Sequence, residues 1–192
     1  MVFHYGGKYN TEDDLKTKGF HRDGAVAFRE PDQKKFALIA NSGAIVIVAV
    51  LMAIVIVVGK PELRTVGMQI CIAALISMVL LVPHEILHAL CFKEDVYMYV
   101  APSKMLAFVH GPESMSKDRF IFMSLLPNIV FGLVPYLLFL FNHNLIIPGA
   151  LGALCLGMGF GDYINVFNAA TQMPKGSKTY LYGFHSYWYP EE

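Results

Sequence analysis

The sequence predicts an all-α integral membrane protein: four transmembrane helices, with a small β-hairpin in the loop between the second and the third. Three observations carry that prediction. Of the 192 residues, 55% are hydrophobic and 16% charged, against about 25% charged in a soluble domain, and the mean hydropathy is +0.48. Four apolar runs are each long enough to cross a hydrocarbon core of about 30 Å. Lysine and arginine are spread unevenly among the segments between those runs. The formal net charge is zero and no basic block is present, so membrane lipid is the expected partner and nucleic acid is not. Cys71, Cys91 and Cys155 are odd in number and lie in apolar stretches, which reads as small packed hydrophobes rather than a disulfide framework.

Residues 1–35 form a polar amino-terminal segment ahead of a membrane domain over residues 36–172, and residues 173–192 form a tail. The first apolar run, residues 36–58, would be about 34 Å long as a helix and starts too late for a signal peptide. The second, residues 65–92, is interrupted by Gln69, Ser77, Pro83 and a cluster of ionisable residues. The third, residues 120–141, contains Pro127 and Pro135, which should bend it where neighbours satisfy the freed carbonyls. The fourth, residues 145–172, is rich in glycine and carries Asp162, Asn165 and Asn168 in its second half. Four spans put both termini on one side. The amino-terminal segment holds seven lysines and arginines, the loop after the second run four and the tail two, against two in the remaining loops. Positive charge collects on the cytoplasmic side, so both termini and the central loop of a multi-pass cell-membrane protein are expected in the cytoplasm.

Within the second run, residues 84–88 read His84-Glu85-Ile86-Leu87-His88. Histidines four apart share one helix face and can hold one zinc, and the glutamate beside them can act as a base on water. With no Cys-x-x-Cys in the chain, zinc would need nitrogen and oxygen ligands. Helix arithmetic places His84 about 28 Å and Asp162 about 26 Å from the outer starts of their spans, at one level in the cytoplasmic half. Ionisable groups in a bilayer each cost about 2.5–3.5 kcal/mol unless partnered, and a shared zinc would remove that cost. A catalytic zinc takes three protein ligands. Asp162 leads as the third, while His110, Glu113 and His185 lie in cytoplasmic segments that could fold back. The competing reading is a histidine pair hydrogen bonded to neighbouring helices, with Glu85 at the headgroups and Asp162 an acceptor between helices.

Four further features bear on the site. Pro83 should loosen the helix at Val79. The Gly157-x-x-x-Gly161 pair permits close helix approach. Asn165 and Asn128 could each orient Asp162, or serve as structural bonds between helices. The β-prone runs at residues 96–100 and 105–109 around Pro102 suggest the hairpin, a strand edge to which an extended substrate could pair. Tyr187, Trp188 and Tyr189 read as a headgroup-level belt.

On these residues the chain resembles a zincin peptidase family of bacterial membrane proteins, distantly similar to site-2 intramembrane metalloproteases. The resemblance runs from about residue 65 to the tail. It is carried by His84-Glu85-x-x-His88-Ala89, Gly161-Asp162-x-x-Asn165 and a Pro174-x-Gly176 turn. It implies zinc ligands at His84, His88 and Asp162 and a catalytic base at Glu85. Site-2 proteases set their aspartate in Leu-Asp-Gly with an Asn-Pro pair, whereas Tyr163 follows Asp162 here and no Asn-Pro pair exists. The function expected is a membrane-embedded zinc metallopeptidase acting on a peptide or membrane-protein substrate within or near the membrane. Its rival is a non-catalytic zinc-binding membrane regulator or scaffold.

Overall fold

The computed structural model describes residues 2–102, 106–183 and 185–191. The chain divides into two compact units, one of Pro31–Leu81 with Leu125–Ile164, the other of Met1–Glu30, Val82–Ser124 and Asn165–Glu192.

The first unit is helical. Its α1 (Gln33–Gly59) starts at Asp32, whose carboxylate accepts the Lys35 N–H at 2.9 Å, and stops at Lys60, which adopts a left-handed φ of 43°. The unit adds α2 (Leu63–Val79), the end of α4 (Lys117–Pro127), a π-helical segment (Asn128–Leu133), α5 (Val134–Phe141), α6 (Ile146–Met158) and the start of α7 (Phe160–Gln172). Helix α6 is the centre, packing against α1, α2, α5 and the π-helical segment. Small residues make that possible: a Cβ on Gly152 would meet the Tyr136 nitrogen at 2.6 Å, and one on Gly157 the Ala44 carbonyl at 3.0 Å. Backbone thus meets backbone, as in membrane helix pairs. Val55, Tyr136, Phe139, Ile146 and Ala153 form the buried core. By contrast Leu38, Ile45, Val57, Leu75 and Val79 face outward, exposed apolar side chains of the kind that mark a membrane or protein contact surface.

Among the described residues, three helices are long and apolar enough to cross a membrane: Lys34–Gly59, Leu63–Ala89 and Lys117–Phe141. They match the first three expected runs. The fourth run is not one straight helix, since α6 and α7 are bent by 51° where Gly159 ends α6, and the pair makes a fourth span only if counted together. Pro127 and Pro135 flank the π-helical segment, and the third run, Lys117–Phe141, is continuous through it.

The second unit corrects the all-α expectation, because it carries two small sheets. In one, β3 (Val96–Ala101) lies between β1 (Phe3–Lys8), to which it runs parallel, and β4 (Leu106–His110), to which it runs antiparallel. The expected hairpin is therefore present as β3 and β4, with its turn at residues 103–105 outside the described residues. In that sheet, among the described residues, β1 and β4 are the edge strands. The other sheet runs β2 (Val26–Ala27), β7 (His185–Pro190), β6 (Ser177–Tyr182), β5 (Met115–Ser116), all antiparallel. The tail aromatics Tyr180, Tyr187 and Tyr189 pack on one another across β6 and β7. Tyr99 anchors the first sheet: its ring presses on Gly6, where a Cβ would sit 2.5 Å away, and its hydroxyl accepts the Lys16 N–H at 2.7 Å.

Candidate metal centre

The His-Glu-x-x-His residues lie on α3 (Leu81–Ala89), which a break at Leu80 separates from α2. Pro83 has no N–H to offer Val79, so the helix loosens one residue later, as the sequence suggests. The end of α3 is packed rather than frayed: Ala89 joins Phe92, Val96 and Met115 in a buried cluster with Phe120 and Met123 alongside. Arg119 completes it, its Nε donating to the Cys91 carbonyl at 2.9 Å and its Nη1 pairing with Glu113. A helix ends with carbonyls that lack helical donors, and a guanidinium is well suited to close them.

Four-residue spacing brings the two imidazoles together. His84 Nε2 and His88 Nε2 are 3.2 Å apart, and the ligand atoms of His84, Glu85 and His88 all lie within 4.8 Å of one another. His88 is buried and the other two are partly exposed. Zinc bonds imidazole nitrogen at about 2.0–2.1 Å in tetrahedral geometry, which puts two such nitrogens about 3.3 Å apart. The observed separation fits that edge. His88 Nδ1 lies 2.9 Å from the Met123 carbonyl. A carbonyl only accepts, so Nδ1 carries the proton and Nε2 keeps its lone pair for a metal. This is the backing that metal-bound histidines usually have.

Asp162 belongs to the helical unit, in the first turn of α7. There Asn128, buried at the head of the π-helical segment, donates from Nδ2 to Asp162 Oδ2 at 2.8 Å and lies 3.5 Å from the Tyr163 hydroxyl. Asn128 thus holds the aspartate, one of the two roles its sequence position allowed. The bond depends on Gly159: a Cβ there would stand 1.5 Å from Asn128 Oδ1. The expected glycine pair is half used, since Gly157 is tight against α1 while a Cβ on Gly161 would meet nothing within 4 Å.

The other candidate ligands are engaged elsewhere. Glu113 is buried, its Oε2 accepting the N–H groups of Lys93 and Glu94 at 2.6 and 3.0 Å. Burial alone would raise its carboxyl, but the Arg119 bond and those two amides outweigh it and hold it below the ordinary value. His110 is buried, its Nε2 donating to the Gly183 carbonyl at 3.0 Å while Nδ1 has no partner. Burial pushes its pKa down from 6.5 against the opposing effect of that bond. His185 is exposed on β7 opposite Tyr182. Among the described residues, the cluster able to hold a metal includes none of the three.

Helices long and apolar enough to cross a membrane and a His-Glu-x-x-His pair with converging nitrogens are what a zincin with membrane-spanning helices would show. The family model described as "putative zincin peptidase" matches residues 77–178, more than half the chain, and the chain belongs to that family. The match takes in α3, the π-helical segment and Asp162. No curated protein and no solved structure matches the chain.

Proposed function

We propose that the protein is a membrane-embedded zinc metallopeptidase that hydrolyses peptide bonds within or near the membrane. The observation that carries this reading is the 3.2 Å approach of His84 and His88 Nε2 with the Glu85 carboxylate beside them. His84, His88 and Asp162 would hold the zinc. What supports Asp162 is the fixed orientation of its carboxylate by Asn128, its standing as the only acidic residue in the other three runs, and its depth along the fourth. Zinc supplies Lewis-acid polarisation of a peptide carbonyl. Glu85 takes the proton of the attacking water and returns it to the leaving amine. The bond from His88 Nδ1 to the Met123 carbonyl leaves Nε2 as the ligand atom of that ring. The bias of positive charge supports a cytoplasmic placement of both termini and the central loop, on the membrane face near which the motif helix ends.

A structural zinc would want a fourth protein ligand, and the commitments of His110 to Gly183 and of Glu113 to Arg119 speak against a non-catalytic site. The test is zinc content and peptide cleavage by purified wild type, Glu85→Gln, His84→Ala and Asp162→Ala. Glu85→Gln should keep its zinc and lose cleavage, while His84→Ala and Asp162→Ala should lose the metal. Equal zinc in all four proteins would sink the ligand set. Undiminished cleavage by Glu85→Gln would end the peptidase reading.

A further inference from the structure

An α-helical carbonyl is paired with the N–H four residues on. In α4 the N–H due to Met123 would come from residue 127, and residue 127 is proline. The carbonyl of Met123 is therefore without its helical donor in a segment where unmet carbonyls are costly. It is the same carbonyl that takes the His88 Nδ1–H at 2.9 Å. Two rules thus act on one atom: proline withholds a donor, and a zinc-binding histidine needs an acceptor behind it.

We propose that Pro127 is a positioning residue of the metal site. By leaving the Met123 carbonyl to His88, it fixes that imidazole as the Nδ1–H tautomer and commits Nε2 to the ligand. The inference rests on the zinc reading above for its functional meaning, but its chemistry is that of one helix and one side chain. An alanine at 127 restores a helical N–H, which then shares the Met123 carbonyl with His88. The ring loses its orienting bond in part, and its tautomers mix. Pro135 offers a matched control: it also lies among the prolines of the third run, but the carbonyl four residues before it is that of Phe131.

The experiment uses the full chain in detergent micelles, comparing wild type, Pro127→Ala and Pro135→Ala. Nitrogen-15 NMR of labelled histidine in the zinc-free protein reads the His88 tautomer, and chelator competition reads the zinc Kd. Wild type should show Nδ1 protonated and Nε2 unprotonated. Pro127→Ala should show a mixture and bind zinc about tenfold more weakly, the usual effect of losing a partner behind a ligand; Pro135→Ala should match wild type in both. A wild-type tautomer and Kd in Pro127→Ala would overturn the proposal, as would an equal change in Pro135→Ala. Failure of wild type to bind zinc would instead overturn the ligand set, and the tautomer comparison alone would then decide the role of Pro127.

Discussion

Gly159→Ala gives the sharpest test of how the helical unit prepares its aspartate. The new Cβ would lie 1.5 Å from Oδ1 and 2.4 Å from Cγ of Asn128. Ordinary contact needs about 3.5 Å, so the amide must retreat by about 2 Å. Its 2.8 Å bond to Asp162 Oδ2 cannot survive that shift. A hydrogen bond to a charged acceptor is worth about 1.5–3 kcal/mol, which corresponds to about 10- to 100-fold in zinc Kd with Asp162 as a ligand. The assay is chelator competition on the single variants Gly159→Ala and Asn128→Ala and on their combination. Asn128→Ala removes the amide and makes room for the methyl group, so adding Gly159→Ala to it should cost nothing further. Wild-type affinity in Gly159→Ala, or penalties that simply add in the double variant, would refute the chain of reasoning from the glycine to the aspartate.

Two further predictions concern the unit with the sheets. Arg119→Met leaves Glu113 buried beside two backbone amides but without its cation, and bares the Cys91 carbonyl. Unfolding free energy should fall by about 2–3 kcal/mol, measured by denaturant titration in micelles; a loss below measurement error would show the clamp to be idle. His110 titrates below 6.5 when folded, so the unfolded chain takes up its proton first. Its contribution to stability is complete above pH 6.5 and is lost as pH falls through the lower folded value. Melting temperature should drop over that window in wild type and less in His110→Gln; parallel profiles would count against the buried neutral ring.

Much of the helical unit was legible because an apolar run of span length has few alternative fates. The runs at residues 36–58 and 120–141 became helices close to those limits. The bend in the fourth run was not legible because a single Gly159 carries the break, and glycine in a membrane helix signals close packing as readily as a bend. Strand β1 and the second sheet were missed for other reasons. Tyr180, Tyr182, Tyr187 and Tyr189 alternate with a period of two, which is a strand signal, but aromatic residues after a last span also suggest an interfacial belt. Strand β1 hides behind Gly6 and Gly7, residues that weaken any strand reading. At the metal centre the two histidines and Glu85 were legible from spacing alone. Asn128 was legible only as one of two asparagines, since sequence does not reveal which amide meets the aspartate. Arg119 carried no signal at all: only the folded chain shows that it closes the end of α3.

In the proposed membrane-embedded arrangement that arginine would also act as a depth gauge. Helix α3 ends against a guanidinium held on one side by the Cys91 carbonyl and on the other by Glu113. Arginine is among the most costly residues to bring to the middle of a bilayer, at about 2.5–3.5 kcal/mol on insertion scales. A helix tied at its tip to such a group cannot slide inward to suit a thicker membrane without dragging the charge along. In the membrane-embedded arrangement proposed above, His88, one turn before that tip, would be held at a level set by a cation rather than by the length of the apolar run, and changes in bilayer thickness would be taken up elsewhere in the chain.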